Sequence, residues 1–153
     1  MKVVVAVDGS KSADAALEHI LNSNYNSSTE FHLLHVVVPG FAEMAVAGIP
    51  DVVANEKAEE QIVLNGMESL LTEKLGARVS TQIVEGEVAD TVTKVCNRIN
   101  ADEVIVPSHC RQGFSRFWLG SLAEEIVAAA PCSVLVLKTY RTPSSSTAIS
   151  STP

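Results

Sequence analysis

The sequence predicts an α/β fold: a five-stranded parallel sheet, doubly wound, with helices on both faces. Three observations carry this. Apolar, β-branched runs alternate with helix-periodic segments from one end of the chain to the other. Within those runs the apolar residues are consecutive rather than alternating, as in strands buried on both faces. Turn and stop residues (Asp8-Gly9-Ser10, Gly76, Pro131) separate the segments. Right-handed crossovers then leave few topologies, namely the order 2-1-3-4-5 or a relative with the first strand central.

Taken in order, Val3 to Val7 is the first strand and ends in the turn Asp8-Gly9-Ser10. Ser10 or Ser12 is placed to cap the next helix by accepting a backbone N–H. Ala13, Ala16, Leu17, Ile20 and Leu21 give that helix an apolar face. Phe31 to Val38 is a second apolar strand. The stretch from Pro39 to Val53 holds two prolines and two glycines and reads as a long loop. A helix from Asn55 to Leu75 carries Val63, Met67, Leu70 and Leu71 on one face and stops at Gly76. Arg78 to Val84 alternates as a half-exposed edge strand does. Val88, Val92, Val95 and Ile99 mark a third helix, and Val104 to Val106 a fourth strand. Leu119, Ala123, Ile126, Val127 and Ala130 mark a fourth helix, which Pro131 ends before a fifth strand, Val134 to Leu137. The domain spans residues 1–140. Residues 141–153, rich in Ser and Thr, bury too little apolar surface to offset their ordering entropy and read as a disordered tail.

The 153 residues fit one domain, and 46% hydrophobic content supports an aliphatic core. Eighteen acidic against eleven basic residues give a net charge of −7, which argues against nucleic-acid and anionic-membrane partners. Three irregularly spaced cysteines make no disulfide framework, and no signal-peptide or membrane-spanning pattern is present, so a reducing cytoplasm is expected. In a doubly wound sheet ligands bind beyond the carboxyl ends of the strands, where strand order reverses. The loops after the first and fourth strands, at Asp8 and from Pro107 onward, are expected to meet there.

Those loops carry a resemblance. VVVAVDGS at 3–10, HVVVPG at 35–40, VEGEVADTV at 84–92 and above all PSHCRQGFSRFWLGSLAEEIVAAAPCSVLVLK at 107–138 resemble the universal stress protein family, over about residues 2 to 138. The resemblance implies the adenine nucleotide alpha hydrolase-like version of the fold, a role in stress response, a homodimer formed through the fifth strand, and a site for ATP or AMP. Nucleotide-binding members carry a loop G-x-x-G-(nine residues)-G-[ST] around the phosphates. On this chain its glycines fall on Pro107, Cys110 and Gly120, followed by Ser121, so only the last glycine and the hydroxyl remain. Glycine lets a backbone approach a phosphate without a Cβ in the way, whereas proline has a fixed φ and no N–H. Gly120-Ser121 still opens a helix, whose free amides attract anions. The same resemblance assigns Ala6, Asp8 and Val36 to the adenine and ribose end, with Val7 between the first two. Gly120 and Ser121, with Ser108, Gly113 and Leu122 near them, belong to the phosphate end, which His109 and Arg111 either line, Arg pairing with anions, or flank as plain exposed loop residues.

Other constellations carry less. A receiver domain needs an acidic cluster that the other strand ends, Val38 and Pro107, do not supply, and Asp8-Gly9-Ser10-Lys11 is a poor flavin phosphate loop. Ser108-His109-Cys110 has no third orienting group for nucleophilic catalysis. His32 and His35, three apart in a strand, face opposite sides, and with His19 they make no metal set. Cys96 and Cys132 read as packing residues. The resulting expectation is a dimeric regulatory module that binds an adenine nucleotide weakly or not at all and acts through a protein partner. The alternatives are a slow ATPase or self-phosphorylating protein using Ser121 (the resemblance allows Ser115 as a second phosphoryl acceptor), or a nucleotide-free interaction scaffold. No general base beyond Asp8 supports the catalytic alternative, and Pro107 and Cys110 favour the scaffold. Phe114, Phe117 and Trp118 would add to a contact surface, with a core position the alternative for Trp118.

Overall fold

Val3, Val4 and Val5 have no exposed surface, because β1 (Lys2–Ala6) is the middle strand of the sheet. The computed structural model describes residues 1–39, 51–108 and 120–138. On one side of β1 lie β2 (Glu30–Val37) and then β3 (Arg78–Glu85); on the other lie β4 (Glu103–Pro107) and then β5 (Ser133–Leu137). All four pairings are parallel, in the order β3-β2-β1-β4-β5. This is the arrangement with the first strand central; the order 2-1-3-4-5 is not the one formed. The helices are α1 (Ser10–Leu21), α2 (Asp51–Leu75), α3 (Val88–Ile99) and α4 (Ser121–Ala129).

Successive strand residues point to opposite faces, so a strand covered on both sides must be apolar at every position. Val3, Val5, Val7, Phe31 and Leu33 join Ala13, Ala16 and Ile20 of α1 and Leu64, Met67 and Leu71 of α2 in one core cluster. Val4, Leu34, Val104 and Val106 join Ala89, Val92, Val95 and Cys96 of α3 and Ile126 of α4 in the other. Leu21, Leu70 and Val127, read as part of the apolar helix faces, are exposed; the apolar arcs are wider than the contacts they make.

Two local expectations are corrected. The second helix starts at Asp51 rather than Asn55, so the segment read as loop is already helical at residues 51–53. Adding residues to an established helix outweighs the weak helix propensity of Val52 and Val53. The rest of that segment, 40–50, lies outside the described residues, as does 139–153. Neither Ser10 nor Ser12 is the cap of α1: Gly9 occupies that position and no side chain caps the helix. Gly76 does end α2 as expected, at φ 63, with its N–H donating to the carbonyl of Thr72 at 3.0 Å.

At the amino-terminal edge of the sheet the Tyr25 hydroxyl donates to Glu103 at 2.6 Å. Burial first, and then the Glu103 carboxylate, push the Tyr25 phenol well above its ordinary range. The unfolded chain therefore ionises first as the pH rises past about 10, and the contribution present below that pH is lost above it. Denaturant midpoints should fall more steeply above about pH 10 in the native sequence than in Tyr25→Phe; equal slopes would reject this coupling. Among the described residues no helix is long and apolar enough to cross a membrane.

Candidate functional site

The chain runs outward from β1 to β2 and β3, then returns past β1 to β4 and β5, so strand order reverses between β1 and β4. The two strands pair at Val3↔Glu103, Val4↔Val104 and Val5↔Ile105. Beyond that register the outer ladders run on: the N–H of Val7 donates to the carbonyl of Leu34 at 2.9 Å, and the N–H of Ser108 donates to the carbonyl of Leu137 at 2.7 Å. The β1–β4 ladder thus stops before its neighbours do, at the reversal of strand order where such a sheet binds its ligands in a crevice.

One wall is the turn after β1. Asp8 is half-buried, and Gly9 has φ 128, a conformation that a side chain disfavours. The other wall is the start of α4, where the N–H of Gly120 donates to the carbonyl of buried Ser108 at 3.1 Å. This ties the helix start directly to the end of β4. Gly120 has φ −64 and ψ 148, so its value there is the missing Cβ rather than an unusual backbone. Neither α1 nor α4 has a side-chain cap, whereas Glu87 caps α3 by accepting from the N–H groups of Ala89 at 3.1 Å and Asp90 at 2.7 Å. Uncapped first-turn amides beside the crevice present positive potential to an anion.

Of the residues singled out by sequence, Ala6, Val36 and Leu122 pack on the same core cluster, Asp8 and Ser108 follow the ends of β1 and β4, and Gly120 and Ser121 open α4. The Val7 side chain belongs to the opposite cluster. His109, Arg111 and Gly113 lie outside the described residues, together with Cys110, Phe114, Ser115, Phe117 and Trp118. A groove of about 340 Å³ runs between α1, at Ala15 and His19, and Leu137–Lys138; none of the candidate residues lines it.

His32 and His35 do face opposite sides. His32 Nε2–H donates to Gln82 Oε1 at 3.0 Å, an oxygen that also accepts from Arg98 at 2.8 Å, while Nδ1 lies 2.6 Å from Ser80 Oγ. His35 is buried on the α2 side, with Nδ1 3.0 Å from the Val7 carbonyl and 3.6 Å from Glu60 Oε2. Glu60 escapes a reading of the sequence by apolar content, although its spacing to Leu64, Met67 and Leu71 places it on the buried stripe of α2. Among the described residues no three His, Cys, Asp or Glu side chains gather as a metal site. Cys96 and Cys132 are packed in the α3/α4 cluster, and burial pushes the Cys96 thiol up to about 12 and the Cys132 thiol upward, away from thiolate reactivity.

Comparison with known proteins agrees with this geometry. The profile described as "Universal stress protein family" matches residues 1–138. A universal stress protein of Methanocaldococcus jannaschii is 28% identical over 143 residues, covering 90% of this chain and 81% of that protein. The solved structure of hypothetical protein MJ0577 superposes with a TM-score of 0.74 at 25% identity, covering 92% of this chain and 96% of that one. An Arabidopsis thaliana universal stress protein family protein, solved with AMP bound, superposes with a TM-score of 0.68 at 23% identity over 95% and 97% of the two chains. With the strand order, the crevice and a match over nearly all of its length, the chain belongs to the universal stress protein family.

Proposed function

We propose that this protein is a cytosolic regulatory module of the stress response that takes an adenine nucleotide in the β1–β4 crevice with a weak grip on the phosphates. The observation that carries the reading is the uncapped start of α4, fastened to Ser108 at the reversal of strand order. The adenosine end is supported by Asp8 in the turn after β1 and by Ala6 and Val36 packed on one cluster. The AMP held by the Arabidopsis relative supports the ligand class. Pro107 at the end of β4 brings no N–H to a phosphate, which supports weak binding.

The module acts as a homodimer through β5. This edge strand is only half-buried from Val134 to Leu137, on both of its faces, and an apolar edge invites a second strand. Titration of ATP into the purified protein, followed by heat and by phosphate release, tests the nucleotide reading. Binding in the millimolar range, about 4 kcal/mol, without phosphate release is expected. Neither heat nor a thermal shift at millimolar ATP would leave the nucleotide-free scaffold, and steady phosphate release would favour the ATPase.

A further inference from the structure

We infer that Ser12 and His35 are positioning residues that clamp the Val7–Asp8 peptide from both sides and so fix the Asp8 carboxylate for its ligand; this rests on the proposed role of Asp8 in nucleotide binding. Where a strand ends, the next peptide group must find partners outside the ladder. At the ends of β3 and β4 the backbone supplies them: Gly86 N–H donates to Val37 O at 2.9 Å and Ser108 N–H to Leu137 O at 2.7 Å. At the end of β1, side chains serve both polar atoms of one peptide. The Val7 carbonyl accepts from His35 Nδ1–H at 3.0 Å, and the Asp8 N–H donates to Ser12 Oγ at 2.8 Å.

Both groups are directional. A carbonyl only accepts, so the proton sits on Nδ1 of His35. The Ser12 hydroxyl gives its own proton to the Gly9 carbonyl at 3.0 Å, bridging the turn on both sides of Asp8. Both are shielded, with His35 5% and Ser12 6% exposed, so bulk water is a poor replacement for either bond. Glu60 Oε2 of α2, itself buried, lies 3.6 Å from the same ring nitrogen. The residue that follows is Gly9 at φ 128, the most permissive residue type, so the two side-chain bonds rather than the backbone of the turn hold this peptide.

Adenosine, which lacks phosphates, isolates the Asp8 end of the site. In calorimetric titrations Asp8→Ala should weaken adenosine binding about tenfold, and Ser12→Ala about fivefold, with Ser12→Thr restoring most of the loss. The decisive readout is the double variant: if Ser12 acts through Asp8, adding Ser12→Ala to Asp8→Ala causes no further loss. A full fivefold loss in the Asp8→Ala background would show a general structural effect and overturn the inference. So would unchanged affinity in Ser12→Ala while Asp8→Ala still weakens binding, an outcome that leaves the proposed function standing. If Asp8→Ala binds like the native protein, or the native protein does not bind adenosine, the reading of Asp8 falls and this inference with it. Ser12→Cys, which keeps the volume and weakens the hydrogen bonds, replaces Ser12→Ala in the same cycle should the alanine variant not fold.

Discussion

Replacing Pro107 and Cys110 together by glycine should tighten ATP binding at least tenfold, a gain of about 1.4 kcal/mol, while leaving adenosine affinity within about twofold. Pro107 is the last residue of β4, in register with Leu137, and Ser108 after it accepts from the N–H of Gly120. Glycine at 107 restores an N–H and backbone freedom, and glycine at 110 removes a Cβ where close approach is wanted. The gain belongs to the phosphates alone, so the contrast between ATP and adenosine is the informative quantity. An equal gain for both ligands, or none for ATP, would mean that the lost glycines are not what limits binding. Some stability should be given up, about 1 kcal/mol for the Pro107→Gly half, because proline restricts the unfolded chain.

Phe31→Ala should destabilise the fold by about 3–5 kcal/mol, from a total that for domains of this kind is about 5–15 kcal/mol. Phe31 is among the largest fully buried side chains, and its ring packs edge-on against Tyr25 with centroids 5.5 Å apart. Removing the ring leaves a cavity between β2 and its helices. It also strips support from Tyr25, whose hydroxyl ties the α1–β2 connection to β4 through Glu103. Urea unfolding should show a much lower midpoint with an unchanged slope. Phe31→Leu, which keeps most of the volume, should lose less than about 2 kcal/mol. A loss below about 1 kcal/mol for Phe31→Ala would show that the neighbours collapse into the space.

The strands were legible because burial on both faces demands apolar residues at every position, and Val3–Val5 and Val104–Val106 meet that demand. The alternation in Arg78–Val84 already marks an edge, which is incompatible with an order that sets the third strand inside the sheet. Edge positions for β3 and β5 and a central β1 leave two orders, and the one observed is that in which β3 lies beside β2 and β5 beside β4, consecutive strands being neighbours. Less legible was what single polar groups do. Ser12 has the composition of a helix cap, yet its hydroxyl reaches back to the Asp8 N–H, because in this turn Gly9 stands at the cap position. Glu60 looks like one more surface acid until the stripe Leu64, Met67, Leu71 is extended backwards onto it. Asp8, Ala6, Val36 and Gly120 are placed by the strand ends, so their neighbourhood follows from topology. The His35 contact depends on a side-chain direction that no spacing rule states.

The central position of β1 has a consequence for synthesis. Lys2 lies beside residues a hundred positions later: its N–H donates to the Asp102 carboxylate at 2.7 Å. Until Glu103 to Ile105 emerge from the ribosome, one flank of Val3-Val4-Val5, fully buried in the finished sheet, has no strand to pair with. A nascent chain with β1, β2 and β3 assembled therefore carries a bare, sticky flank, and closing it requires a loop of about a hundred residues to be brought together. The join that creates the crevice is thus a late one, and until it forms the growing polypeptide is open at its centre to association with other chains.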